Sequence, residues 1–285
     1  MFAAVVFAVG CFETSFDDET RHDFPKLEGP YLGQTLPGIE PLLFAEGIVS
    51  TGMNELNSVF SPDGTDFNFS IAAGPMHWVI MASYLRDGMW TKPEAVDFPG
   101  PYSAVDMAFS PDGNRLYYCS NRPLSGRGEA SETADIWYVE RTDDGWSDPV
   151  NPGPPINSEE HEFYPSLTND GTMYFQSRRP GGPGLGDIYR SRLVDGEYLE
   201  AELLPAPVNS GDSEGDALIA PDESFIIITG RATQPPETRN YDLFVSFRRE
   251  DDTWTERISL GEGVNSDQGE NCPVLSPDGR YFFFT

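Results

Sequence analysis

Short apolar runs recur along this chain, each bounded by Gly, Pro, Asp or Asn. Leu116-Tyr117-Tyr118-Cys119, Met173-Tyr174-Phe175, Phe225-Ile226-Ile227-Ile228 and Tyr281-Phe282-Phe283-Phe284 are apolar at successive positions. A strand of that kind has both faces covered, as it must when its sheet lies between two others. Before each run comes another mainly apolar segment, such as Val105-Asp106-Met107-Ala108-Phe109, and between the two lies a polar tetrapeptide. No segment sustains a helical period.

The tetrapeptide is Ser-Pro-Asp-Gly at 61–64, 110–113 and 276–279, with variants at 168–171 and 220–223. Proline presets φ and glycine accepts the left-handed conformation, so each one turns the chain between two strands. Successive starts are separated by 49, 58, 52 and 56 residues. Trp146, Tyr198 and Trp254 each precede an Asn-Ser pair by 11 residues, and each Asn precedes its turn by another 11. Ile39, Ser50 and Ser61 keep the same two spacings.

Each repeat therefore reads as four strands. Two flank the turn, a third opens at Asp135-Ile136-Trp137, Asp187-Ile188-Tyr189 or Asp242-Leu243-Phe244, and a fourth carries the Trp or Tyr. Four-stranded units of about 40–50 residues are the signature of propeller blades. The expected fold is an all-β propeller of four-stranded antiparallel blades over residues 38–285. Five blades are favoured. The last is incomplete, ending at Thr285 after two strands, and residues 39–50 are expected to close it as its fourth strand. Six blades remain the alternative if sequence is missing.

The Ser-Pro-Asp-Gly turn, the aromatic strand after it, Ser120-Asn121-Arg122 or Ser177-Arg178-Arg179, and the Asp-Ile-Trp/Tyr opening together resemble the TolB-like, WD-repeat-like propellers of bacterial envelope proteins. The resemblance implies a propeller and an extracytoplasmic home, periplasmic or at the cell surface. Blade one departs from it: Met76-His77-Trp78 replaces Asp-Ile-Trp. So does Ala104, which stands where the other units have Glu.

Composition narrows the partners. With 47 Asp+Glu against 18 Lys+Arg the net charge is -29, which repels phosphates and argues against nucleic acid and anionic membrane surfaces. Residues 2–10 form an uncharged apolar run, too short to span a bilayer and read as a signal peptide. Ala8-Val9-Gly10-Cys11 resembles a lipobox, so Cys11 is expected to be lipidated, the protein's only hold on a membrane, with 11–37 as an acidic tether. Cys119 and Cys272 lie in strand-like segments of different repeats and are expected to be buried free thiols.

Candidate chemistry clusters where propeller loops gather. Loops from fourth to first strands carry Asn-Ser-x-x-x-Glu, giving Glu162, Glu214 and Glu270, with Glu55 in the matching N-terminal place. Loops from second to third strands begin with Arg122, Arg179 and Arg231. Such carboxylates can hold a cation, a sugar or a basic peptide; the favoured expectation is that each pairs with an Arg and clamps its loop. Residues that break the repeat, His161, His77, Trp78 and Tyr102, are candidates for specificity, as are the long polar loops 120–134 and 230–241.

The three histidines, at 22, 77 and 161, lack zinc spacing, and no calcium loop of the EF-hand type occurs, so no cofactor is expected. No nucleophile elbow, phosphate loop or His-Glu-x-x-His motif is present. Three functions stay open: an envelope propeller binding a protein, peptide or glycan through its loop-rich face, a glycoside hydrolase using channel carboxylates, and a scaffold for a missing partner domain.

Overall fold

The computed structural model describes residues 24–231 and 240–285. The signal run, Cys11, His22 and most of the 230–241 loop lie outside them. Four antiparallel sheets of four strands or more follow one another along the chain, and a two-stranded sheet comes last. Blade 1 is Glu55–Phe60, Asp66–Gly74 and His77–Arg86, with Met89–Trp90 and Glu94–Ala95 both on the third strand. Blade 2 is Ala104–Phe109, Arg115–Ser120, Asp135–Thr142 and Gly145–Trp146. Blade 3 is Glu162–Leu167, Met173–Ser177, Asp187–Ser191 and Glu202–Leu203, and blade 4 is Gly215–Ile219, Phe225–Arg231, Tyr241–Phe247 and Ile258–Ser259. Blade 5 has Val274–Leu275 and Phe282–Phe283.

Five apolar clusters fill the five gaps between blades. Along the second strands alternate side chains serve opposite gaps: Leu116 and Tyr118 face blade 1, whereas Tyr117 and Cys119 face blade 3. Likewise Ile226 and Ile228 pack toward blade 3, and Phe225 and Ile227 toward Phe282 and Phe284 of blade 5. The fifth cluster joins Phe283 of blade 5 to Phe60 and Phe67 of blade 1, which closes the ring. The hydrophobic effect thus acts between sheets rather than within any of them.

Closure differs from expectation in one respect. Residues 39–50 form no strand; Ile39 is 79 % exposed, and a turn held by Val49 N–H on the Ala45 carbonyl drops Phe44 and Val49 into the closing cluster. Among the described residues blade 5 has two strands, and the segment meets it through side-chain packing. Phe44 meets Phe283 edge-on at 5.4 Å, and Tyr31 does the same to Tyr281 at 5.0 Å. Residues 27–32, assigned by sequence to the tether, also dock on blade 1, where Trp90 Nε1 donates to the Gly29 carbonyl at 2.8 Å.

The repeat motifs have local causes. Gly64, Gly113, Gly171 and Gly279 take φ between +68° and +85°, the left-handed residue each turn requires. The buried Asn of each Asn-Ser pair acts as a strand substitute. Asn157 accepts from the Ile136 N–H at 2.9 Å and donates to its carbonyl at 2.8 Å, and Asn209 and Asn265 treat Ile188 and Leu243 the same way. That bond couples the Asn-Ser and Asp-Ile-aromatic motifs, which are distant in sequence.

Candidate functional site

The four glutamates are all buried. Each carboxylate accepts the hydroxyl of the Ser or Thr four residues earlier: Thr51 on Glu55, Ser158 on Glu162, Ser210 on Glu214 and Ser266 on Glu270. The repeated Ser-x-x-x-Glu is thereby a loop clip. Arginine joins it in two blades. Arg179 reaches Glu162 at 3.3 Å within blade 3, while Arg257, next to the fourth strand of blade 4, reaches Glu214 at 3.2 Å. Glu55 and Glu270 have no arginine among the described residues, and burial raises the pKa of Glu270. Arg231 is exposed.

The repeat-breaking residues separate into two groups. Tyr102 and Arg122 come together: Tyr102 is buried, its hydroxyl donates to the Gly128 carbonyl, and the Arg122 guanidinium lies 5.7 Å from both the Tyr102 and Trp137 ring centres. His161 stacks on Phe163 at 5.4 Å and accepts the Ala134 N–H at Nδ1; burial and then Arg178 lower its pKa. His77 and Trp78 open the third strand of blade 1, where Ser103 Oγ accepts the Trp78 N–H, the bond that His161 makes to Ala134 one blade on.

A second constellation escaped the sequence reading. Asn57, Asp106, Tyr164, Asp216 and Cys272 each lie four residues before a turn, and all five take positive φ, from 26° to 58°. In blades 1 to 4 they coincide with bulges in the innermost strands. There the side chain crosses to the next blade. Asn57 accepts the Met107 N–H at 2.7 Å, Asp106 accepts the Tyr164 N–H, and Asp216 accepts the Cys272 N–H at 3.1 Å. Tyr164 spans the channel, its hydroxyl donating to the Pro273 carbonyl at 3.0 Å. Burial, and then the Asp216 charge, push the Asp106 carboxyl well up, and burial raises Asp216. The fixed spacing was the available signal; four different residue types at the five positions hid it.

This hub closes the channel, and beyond it, on the face of the Ser-Pro-Asp-Gly turns, opens a cavity of about 310 Å³. All five blades line it, with Pro62, Pro111, Pro221 and Pro277 at the rim. It shares Phe60, Pro62 and Pro277 with a groove of about 590 Å³ beside the N-terminal segment, and Ser110, Pro111, Leu167 and Asn169 with one of about 470 Å³ between blades 2 and 3. A continuous trough therefore crosses the turn face, opposite the loops that sequence singled out. Asp63, Asp112, Asp170, Asp222 and Asp278 border this face with lowered pKa values. At Asp112, Asp170 and Asp222 hydrogen bonds from Ser110, Thr168 and Ser224 are the main cause; at Asp63 and Asp278 similar bonds outweigh a burial penalty. No cluster of three metal-ligating acidic, His or Cys side chains occurs among the described residues.

No protein-family model matches the chain, and no curated protein matches it in sequence. Solved structures share its architecture. TolB from Acinetobacter baumannii superimposes with a TM-score of 0.52 at 15 % identity, covering 81 % of this chain and 48 % of that one; this chain thus spans about half of its length. A thermostable family-43 glycoside hydrolase gives 0.51 at 12 % identity over 82 % of each chain. The endo-arabinase of Bacteroides thetaiotaomicron gives 0.50 at 12 %, covering 83 % of this chain and 89 % of that one. These likenesses establish the class, an all-β propeller, and at such identities carry the fold alone.

Proposed function

We propose that this protein is a non-catalytic binding propeller of the bacterial envelope, akin to the TolB-like group, whose turn-face trough receives an extended basic segment of a protein partner. The observation carrying this reading is the trough itself: three connected cavities, apolar at the centre, whose outer two are lined by the lowered-pKa carboxylates of Asp63, Asp112, Asp170 and Asp278, with Arg115, Arg141 and Arg280 among them. Complementary charge favours a basic ligand and speeds its capture. The apolar run 2–10 and Cys11, outside the described residues, support export and a lipid anchor. Against catalysis, the buried glutamates serve the protein's own hydroxyls and guanidinia. A hydrolytic reading is kept alive by one pair only, Asp106 and Asp216 with their raised pKa values in the hub.

The test presents the full chain with Lys/Arg-rich and Asp/Glu-rich extended peptides. Saturable, salt-sensitive binding of the basic set, lost when Ala108→Trp fills the trough's centre, supports the reading. Equal binding of the acidic set, or binding that survives the block, overturns it. Turnover on a broad glycan panel that disappears in Asp106→Asn establishes the hydrolase instead.

A further inference from the structure

Blade 2 keeps the arginine of the loop clip but has lost its carboxylate. Ala104 stands at the place of Glu162, and Gly100 at the place of Ser158. In blade 3, Arg179 Nε donates to Ser177 Oγ at 2.9 Å, Ser177 donates to Glu162 at 2.7 Å, and the guanidinium reaches the same carboxylate. In blade 2 the matching Ser120 donates instead to the Ser103 carbonyl at 2.8 Å. Arg122 retains the Pro99 carbonyl at 3.3 Å, but its Nε has no partner among the described residues.

The side chains around it changed in the same direction. Tyr118 replaces Phe175 and Trp137 replaces Tyr189, and both are almost wholly buried. The Tyr118 hydroxyl and the Trp137 indole Nε1 also find no partner. The Arg122 charge is felt at Tyr118, and its guanidinium lies over the Trp137 ring, so the three donors belong to one locale. Native folds rarely leave one buried donor unsatisfied, and here two lie beside a cation whose own Nε is unsatisfied and which has no counter-ion among the described residues. Gly100 and Gly126 hug the guanidinium, and a Cβ on either would lie 3.4 or 3.2 Å from its terminal nitrogens.

We propose that blade 2 is a receptor for the carboxylate of a small ligand, which takes the place of the missing Glu and accepts from Arg122, Trp137 and Tyr118. The site is on the loop face, away from the trough, and is independent of the function proposed above. An arginine fork matches a carboxylate in shape as well as charge, as blade 3 already shows within the chain.

The test follows the indole N–H of Trp137, assigned with Trp137→Phe, in the ¹⁵N-labelled full chain. Sodium acetate is titrated against acetamide and against sodium chloride at matched ionic strength. Acetate produces a saturable downfield displacement and the controls do not. Arg122→Gln weakens the response at least about tenfold, and Ala104→Glu, which supplies its own carboxylate, abolishes it. Should Ala104→Glu fail to fold, Arg122→Gln decides, since that side chain is partly exposed and its loss spares the core. No displacement by acetate, equal displacement by chloride or acetamide, or a full response in Arg122→Gln overturns the proposal.

Discussion

Replacing Glu162 by Gln separates a paired clip from an unpaired one when compared with Glu270→Gln. Glu162 is wholly buried and accepts four donors: the Ser158 N–H at 3.0 Å, the Ser158 and Ser177 hydroxyls at 2.6 and 2.7 Å, and Arg179 at 3.3 Å. A glutamine turns one acceptor oxygen into a donor facing these groups. It also strands a guanidinium that is only 15 % exposed. Breaking a buried pair by removing one partner costs about 3–5 kcal/mol. Arg179 keeps the Pro155 and Ile156 carbonyls, so the lower end, about 3 kcal/mol, applies.

Glu270 offers a contrast. One of its oxygens holds both Ser266 bonds and the other has no partner, so an amide preserves every contact and removes a poorly solvated charge. The expected change is under about 1 kcal/mol. At about 2–4 °C per kcal/mol for a chain of this size, thermal unfolding followed by tryptophan fluorescence at pH 7 should fall by roughly 6–12 °C for Glu162→Gln and by less than about 4 °C for Glu270→Gln. Equal losses in the two variants, or a Glu162→Gln loss below about 1 kcal/mol, would refute the clip as a source of stability.

Other expectations follow from the hub and the seam. Asp106 and Asp216 have native pKa values above their unfolded ones, so the folded state binds more protons and stability falls as pH rises from about 4 through those raised values. Asp106→Asn, which still accepts the Tyr164 N–H, should therefore raise the unfolding midpoint at pH 8 and change it least near pH 4; a destabilised variant at pH 8 contradicts this. Below about pH 4 the turn aspartates, whose pKa values are lowered, should reverse the trend as they protonate, which a urea titration against pH will reveal. Burial holds the Cys119 and Cys272 thiols well above their ordinary pKa, so both should resist iodoacetamide at pH 8 until the fold is opened by denaturant. Phe44→Ala, which empties the contact with Phe60, Phe67 and Phe283, should cost about 3–5 kcal/mol by urea unfolding, although Phe44 belongs to no strand.

Much of this molecule is written in local chemistry. Turn tetrapeptides need Pro and Gly wherever the backbone reverses, and strands covered on both sides need apolar residues in succession, so the propeller class, the strand order within a blade and the interleaved packing of 116–119 and 225–228 were legible from residue types and spacing. The Glu clips were legible as positions, because each hydroxyl and carboxylate are four residues apart. Their partners were legible only in part: Arg179 was among the loop arginines expected to clamp a Glu, whereas Glu214 takes Arg257 and leaves Arg231 outside. The seam was not legible: that Phe44 and Val49 would enter the closing cluster from a turn rather than from a strand depends on side chains brought together only in the assembled ring. The hub was hidden for the same kind of reason. Asn57, Asp106, Tyr164, Asp216 and Cys272 are not one residue type in sequence; they share a positive φ and a central axis, and convergence on an axis is a property of the closed ring.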